Sequence, residues 1–312
     1  MDSSRSTHSA SDALAQRPST RKATTPAARA IDGLPTTRPR PNCRFVSGAV
    51  TALVGVVLLL AASSLVTPPS VLAQAGSIFQ ATLVEPNQKT AEVSTAELRQ
   101  ILADGSAVVF DSRPHMEYAV SHIPGALNVA PKPGQSMSLY VSDVAEIGRI
   151  VPEKSSAIVL YCNGPTCGKS KRLAEELLEA GYTNVRRYQL GAPTWRALVG
   201  VMEIELDGVR YVRDADRTAW FVDARSPEQF GRGSLPGARN IPLADVAKAK
   251  DDGRLPMEDH NTRVIVFGAD ADQARAVTDE LAKNAFHNVS YFAGTLDDLV
   301  AGLGEAPVVA TR

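Results

Sequence analysis

At 312 residues and 44% hydrophobic content, the chain is long enough for two ordinary domains once a leader is set aside. A formal net charge of −1 leaves no basic footprint, which argues against nucleic acid as a partner. Three cysteines cannot build a disulfide scaffold, and five scattered histidines without a C-x-x-C pair suggest no metal site and no cofactor.

Residues 1–44 are rich in Ser, Thr, Pro, Ala and Arg and read as a disordered basic region. From Phe45 to Val66 no charged residue occurs, a run long enough to cross a bilayer, and the next charge is Glu85. The basic flank precedes this run. The positive-inside rule therefore leaves the N-terminus in the cytoplasm and sends the rest of the chain to the periplasmic or extracytoplasmic side. Ala73-Gln74-Ala75 is an A-x-A cleavage pattern, so residues 45–66 act either as an uncleaved anchor or as the core of a signal peptide, and both readings stay open. Residues 67–91 form a linker.

Ser94-Thr95-Ala96-Glu97 is a capping box that opens a helix running to about Asp104, with Gly105 as its stop. Ala107 to Asp111 reads as a buried strand, followed by Asp111-Ser112-Arg113, Glu117-Tyr118 and His122-Ile123-Pro124-Gly125-Ala126, and then a short strand at Asn128-Val129. A less readable helical stretch reaches Ile150. The segment AIVLYCNGPTCGKSKRLAEELLEAGY then gives a buried strand, a loop and an amphipathic helix, with Cys162 where the strand ends. Asn184 to Leu190 is the next strand, and Gly191-Ala192-Pro193 turns into a helix around Trp195. Alternating strands and helices of this length predict a parallel sheet covered on both faces.

The cysteine loop admits three readings. Gly164, Gly168, Lys169 and Ser170 resemble a phosphate-binding P-loop, but the spacing is one residue short. Cys162 can be an inert buried residue at a strand end. It can also be a nucleophile, because loop amides running into a helix N-terminus converge on one spot and favour a thiolate there.

The signature of the first domain recurs downstream. Asp111, Arg113, Pro124, Gly125, Ala126 and Asn128 match Asp223, Arg225, Pro236, Gly237, Ala238 and Asn240 at identical spacing. The segment VIVFGADADQARAVTDELAKNAF mirrors the strand, loop and helix around Cys162, and NVSYFAG mirrors NVRRYQLG. Two copies of one α/β domain follow, over 92–201 and 202–312, with a junction near Val201 to Asp216 where no strong periodicity runs.

These residues resemble the rhodanese-like sulfurtransferases in their tandem arrangement. FDSRPHMEYAVSHIPGALNV and VDARSPEQFGRGSLPGARNI are similar to the family's N-terminal signature, and YCNGPTCGKS to its active-site loop. The resemblance covers about Val93 to Leu299. It implies two parallel-sheet domains flanked by helices behind the N-terminal hydrophobic segment. It also implies that Cys162 takes sulfur from thiosulfate or a similar small anion, carries it as a persulfide, and passes it to a thiol or cyanide acceptor. By the same resemblance the backbone from Asn163 through Gly164, Thr166, Cys167 and Gly168 to Ser170 cradles the sulfur, Lys169 supplies positive charge, and Arg113 stands in support.

The loop departs from the family pattern. Cys162 to Lys169 is longer than usual, with Lys in place of Arg, whereas Cys167 to Arg172 has the usual length. Cys162 is preferred because the strand ends there. In both copies the Asp and Arg persist although the second copy lacks a thiol, so Asp111 and Arg113 read mainly as braces of the fold. In the second copy Gly268 stands at the cysteine position, Gln273 at the basic one, and Asp270 and Asp272 add negative charge, so that copy is expected to be inactive. The competing function is an exported redox or binding module using a Cys162/Cys167 dithiol. A phosphatase is a weaker third reading, since no arginine fork closes the loop.

Overall fold

The protein is described by a computed structural model covering residues 77–130 and 143–309. The expected basic region, the hydrophobic run 45–66 and the first part of the linker, 67–76, lie outside the described residues. Among the described residues, no helix is long and apolar enough to cross a membrane.

The first copy runs β1 (Ala91–Glu92), α1 (Thr95–Asp104), β2 (Val108–Asp111), α2 (His115–Val120), β3 (Leu127–Asn128), α3 (Val144–Ile150), β4 (Ile158–Tyr161), α4 (Lys169–Glu179), β5 (Val185–Tyr188) and α5 (Gly191–Leu198). Its sheet has the order β1-β5-β4-β2-β3, and every pairing is parallel. The second copy runs β6 (Met202–Ile204), α6 (Leu206–Ala215), β7 (Trp220–Asp223), α7 (Pro227–Arg232), β8 (Arg239–Asn240), α8 (Val246–Ala249), β9 (Val264–Gly268), α9 (Ala271–Lys283), β10 (Val289–Thr295) and α10 (Leu296–Leu303). Its order, β6-β10-β9-β7-β8, repeats the first.

The central strands explain why these are covered parallel sheets. All of β4, Ile-Val-Leu-Tyr, is buried, and successive side chains feed opposite cores. Val159 and Tyr161 join Val109, Tyr188 and Trp195 on one face, whereas Ile158 and Leu160 join Phe110, Ile147, Leu173 and Leu177 on the other. In the second copy β9 divides in the same way, with Val264 and Val266 on one face and Ile265 and Phe267 on the other.

Two expectations need correction. The capping box at Ser94 is half formed: Ser94 Oγ accepts from the Glu97 N–H, but the Glu97 carboxylate pairs with Arg186 on β5. A cross-element ion pair has displaced the local return bond. The stretch from Val201 to Asp216 is no featureless junction, because it forms β6 and α6. The helical pattern there is masked by Gly208, which sits in the buried face beside Val209 and Val212. A Cβ at Gly208 would run into the carbonyl of Ala119 on α2, so glycine lets the two helices meet.

Each copy carries the same buried brace. Arg113 Nε and Nη2 donate to Asp111, and Nη2 also donates to the Ser121 carbonyl at 2.6 Å. Arg225 does the same with Asp223 and the Gly233 carbonyl at 2.7 Å. Asn128 Nδ2 donates to the carbonyls of Asp111 and Arg113, and Asn240 repeats this with Asp223 and Arg225. The repeated sequence signature is therefore a hydrogen-bonded corner that holds the C-terminal end of the central strands.

Candidate active site

The end of β4 is fixed from two sides before the loop begins. The Tyr161 carbonyl accepts from both the N–H and the hydroxyl of Ser112, at 2.9 and 2.8 Å. The fully buried Tyr161 hydroxyl accepts from the Ile123 N–H at 3.1 Å, and burial holds its pKa well above the usual phenol range. Cys162 follows, itself buried.

The loop then doubles back. Gly164 has φ +102°, and its carbonyl accepts from the Cys167 N–H at 3.0 Å. The turn brings the Cα atoms of Cys162 and Cys167 to 6.2 Å, and the two sulfurs are joined in a disulfide. The thiolate expected at Cys162 is thus absent in this state: its sulfur is bonded to that of Cys167. The spacing of the turn accounts for the pairing.

The surrounding residues take distinct places. Asn163 is exposed, and its Nδ2 donates to Glu117 on α2 at 2.5 Å. Thr166 is exposed and Gly168 is the N-cap of α4, where no side chain caps the helix. The first-turn N–H groups of Lys169, Ser170 and Lys171 lack intrahelical acceptors, an arrangement that favours an anion. Lys169 is half-buried, and its charge acts on Asp143, whose carboxyl burial pushes above the usual range while Lys169 opposes the shift. Ser170 is buried.

Arg113 is tied to the site through β4. Its guanidinium lies 5.8 Å from the centre of the Tyr161 ring, and its hydrogen bonds go to Asp111 and the Ser121 carbonyl. Burial disfavours its charge, but Asp111 outweighs that and holds the pKa above its ordinary value. Arg172 projects along α4 and pairs with Glu176 at 3.1 Å.

Three contributors were not singled out from the sequence as parts of the site. Glu117 stands in the sequence only as part of a motif, and nothing there signals its bond to Asn163. Gly191, φ +70°, has its Cα against the loop, where a Cβ would strike the Cys162 carbonyl and the Gly164 backbone. The Gly-Ala-Pro turn was the available signal. Glu85, preceding β1, reaches Lys171 on α4 at 3.5 Å and also binds Arg187 and Gln189. Burial raises the Glu85 pKa, but Arg187 and Lys171 together bring it below the ordinary value. Beside it Glu92 is pushed up to about 7 by burial, against the opposing charge of Arg187.

The second copy has no comparable cradle. The strand β9 ends at Gly268, Asp270 accepts from the Gln273 N–H at 2.8 Å, and Gln273 Oε1 accepts from the Ala269 N–H at 2.9 Å. The Asp270 side chain caps the start of α9, which α4 in the first copy lacks.

Comparison with known proteins places these features in context. The model of the rhodanese-like domain family matches residues 94–198 and 210–301. Human thiosulfate:glutathione sulfurtransferase is 31% identical over 113 residues, covering 33% of this chain and 90% of its own length. An HTH-type transcriptional regulator of Mycobacterium tuberculosis is 30% identical over 106 residues, and the match covers 33% of this chain but only 41% of the regulator. Among solved structures, a thiosulfate sulfurtransferase from Pseudomonas aeruginosa is 22% identical, with 66% of this chain and 43% of that one covered at a TM-score of 0.27.

Proposed function

The chain belongs to the rhodanese-like domain family, and from that premise we propose that its first domain transfers sulfane sulfur through Cys162. Sulfurtransferase activity is supported at the level of the family by the two matched domains and by the human relative. The observation that carries the assignment to Cys162 is its position: a buried cysteine at the end of β4, followed by the uncapped N-terminus of α4.

With the disulfide reduced, the Cys162 thiolate attacks the outer sulfur of thiosulfate or a similar anion. A new S–S bond forms, the old one breaks, and sulfite leaves with the electron pair. An acceptor thiol or cyanide then attacks the outer sulfur of the persulfide, and the Cys162 thiolate departs. First-turn N–H groups and Lys169 stabilise the anionic donor and the persulfide. The second domain, with Gly268 at the cysteine position, serves as a packing partner.

The Cys162–Cys167 disulfide favours a second reading, in which the pair is a dithiol redox module. Sulfite release from thiosulfate separates the two. Reduced protein should release sulfite catalytically with glutathione or cyanide, and Cys162→Ser should not. Absence of turnover with every acceptor, together with reversible disulfide cycling, would instead support the redox module.

We also propose an exported location, tethered or released by residues 45–66, because the uncharged run follows a basic flank. Protease added outside sealed spheroplasts should digest both domains; complete protection would contradict export.

A further inference from the structure

We infer that His122, Glu203 and Glu205 hold a divalent transition-metal ion where the two domains meet. One ligand atom from each lies within 4.8 Å of the others. His122 comes from the first domain; Glu203 lies within β6 of the second, and Glu205 directly follows that strand.

The backbone pins all three. His122 and Glu203 exchange both N–H···O bonds at 2.9 Å, and the Glu205 N–H donates to the Ala119 carbonyl at 2.8 Å. His122 is 1% exposed, and its ring stacks on Tyr118 with ring centres 3.8 Å apart. Its Nδ1 lies 3.0 Å from the Tyr118 carbonyl. A carbonyl only accepts, so Nδ1 carries the proton and Nε2 carries a lone pair. This hydrogen bond is the one that orients metal-binding histidines.

The lone pair meets a second acceptor. Nε2 lies 3.8 Å from Glu203 Oε2, too far for a direct hydrogen bond. A metal ion at ordinary ligand distances from both atoms spans that gap. Glu203 Oε2 already accepts from the Tyr291 hydroxyl at 3.0 Å, a bond that would orient it as a ligand. Glu205 occupies the N-cap of α6 yet makes no side-chain cap, where Ser94 caps the equivalent helix of the first domain. Its Oε1 is 3.5 Å from the Tyr118 hydroxyl, whose shorter bond, 3.0 Å, goes to the Ala126 carbonyl. Two carboxylates offset a dication, and the mixed nitrogen and oxygen set suits zinc-like ions better than soft or all-oxygen ones. Such an ion would staple the domains together independently of sulfur chemistry.

The test uses the full chain with its disulfide intact, stripped by a chelator and then supplied with zinc(II). One equivalent should bind and raise the thermal midpoint. Glu205→Gln and His122→Gln should each weaken binding about tenfold or more. Glu205 is half-buried, so its variant decides the matter if the histidine variant does not fold; its metal-free midpoint should match that of the wild type. Cobalt(II) in place of zinc should give visible bands of nitrogen and oxygen ligation. Absence of zinc binding, equal affinity in Glu205→Gln, preference for magnesium(II), or a thiolate charge-transfer band from cobalt would each overturn the site.

Discussion

The Ala192 N–H donates to the Cys162 carbonyl at 3.0 Å, which ties the site loop to the first turn of α5. The approach depends on Gly191, whose Cα lies against Cys162 and Gly164 at φ +70°. Gly191→Ala should therefore displace the loop or strain the backbone. We expect sulfite release to fall about tenfold or more, with the second domain still folded, measured by steady-state turnover alongside circular dichroism. Unchanged turnover would mean that the loop position does not matter to the chemistry.

The disulfide makes a prediction about thiol counts. Of three cysteines, Cys162 and Cys167 are paired, which leaves Cys43. Titration of the unfolded, unreduced full-length chain should find one free thiol, and prior reduction should raise that to three. Turnover should rise in parallel with the two thiols recovered.

The Asp111–Arg113 brace is predicted to matter for stability. Arg113→Met leaves a buried carboxylate without its partner, which should cost about 3–5 kcal/mol in urea unfolding. Arg225→Met removes the equivalent, more exposed brace of the second domain and should cost less.

Glu92 gives a pH dependence. Its folded-state pKa, about 7, is above the unfolded value, so the fold prefers the protonated carboxyl. That contribution is fully present below about pH 4.5 and is lost as pH rises toward 7 and beyond, a change of up to about 3 kcal/mol. Glu92→Gln should remove this component, so the difference in unfolding free energy between variant and wild type should grow from pH 4.5 to pH 8. A constant difference across that range would show that Glu92 does not titrate abnormally.

Much of this was legible in the sequence because it rests on local pattern. The uniformly apolar β4, the Ser94 and Gly105 signals around α1, and the matched Asp, Arg and Asn positions each specify structure through nearby residues. What stayed hidden depends on partners distant in the chain. Glu97 turns from its own helix to Arg186, Gly208 reads as a helix breaker until Ala119 is seen beside it, and Glu117 meets Asn163 only once α2 and the loop are packed together. The pairing of Cys162 with Cys167 depends on a backbone turn at Gly164 that spacing alone leaves open.

The central claim concerns which sulfur carries the cargo. Reduced Cys167→Ser protein, treated with thiosulfate and freed of excess reagent, should gain the mass of one sulfur atom, and peptide mapping should find it on Cys162; Cys162→Ser should gain none. A sulfur found on Cys167 in the Cys162→Ser protein, with Cys162 unmodified in the reciprocal variant, would contradict the account.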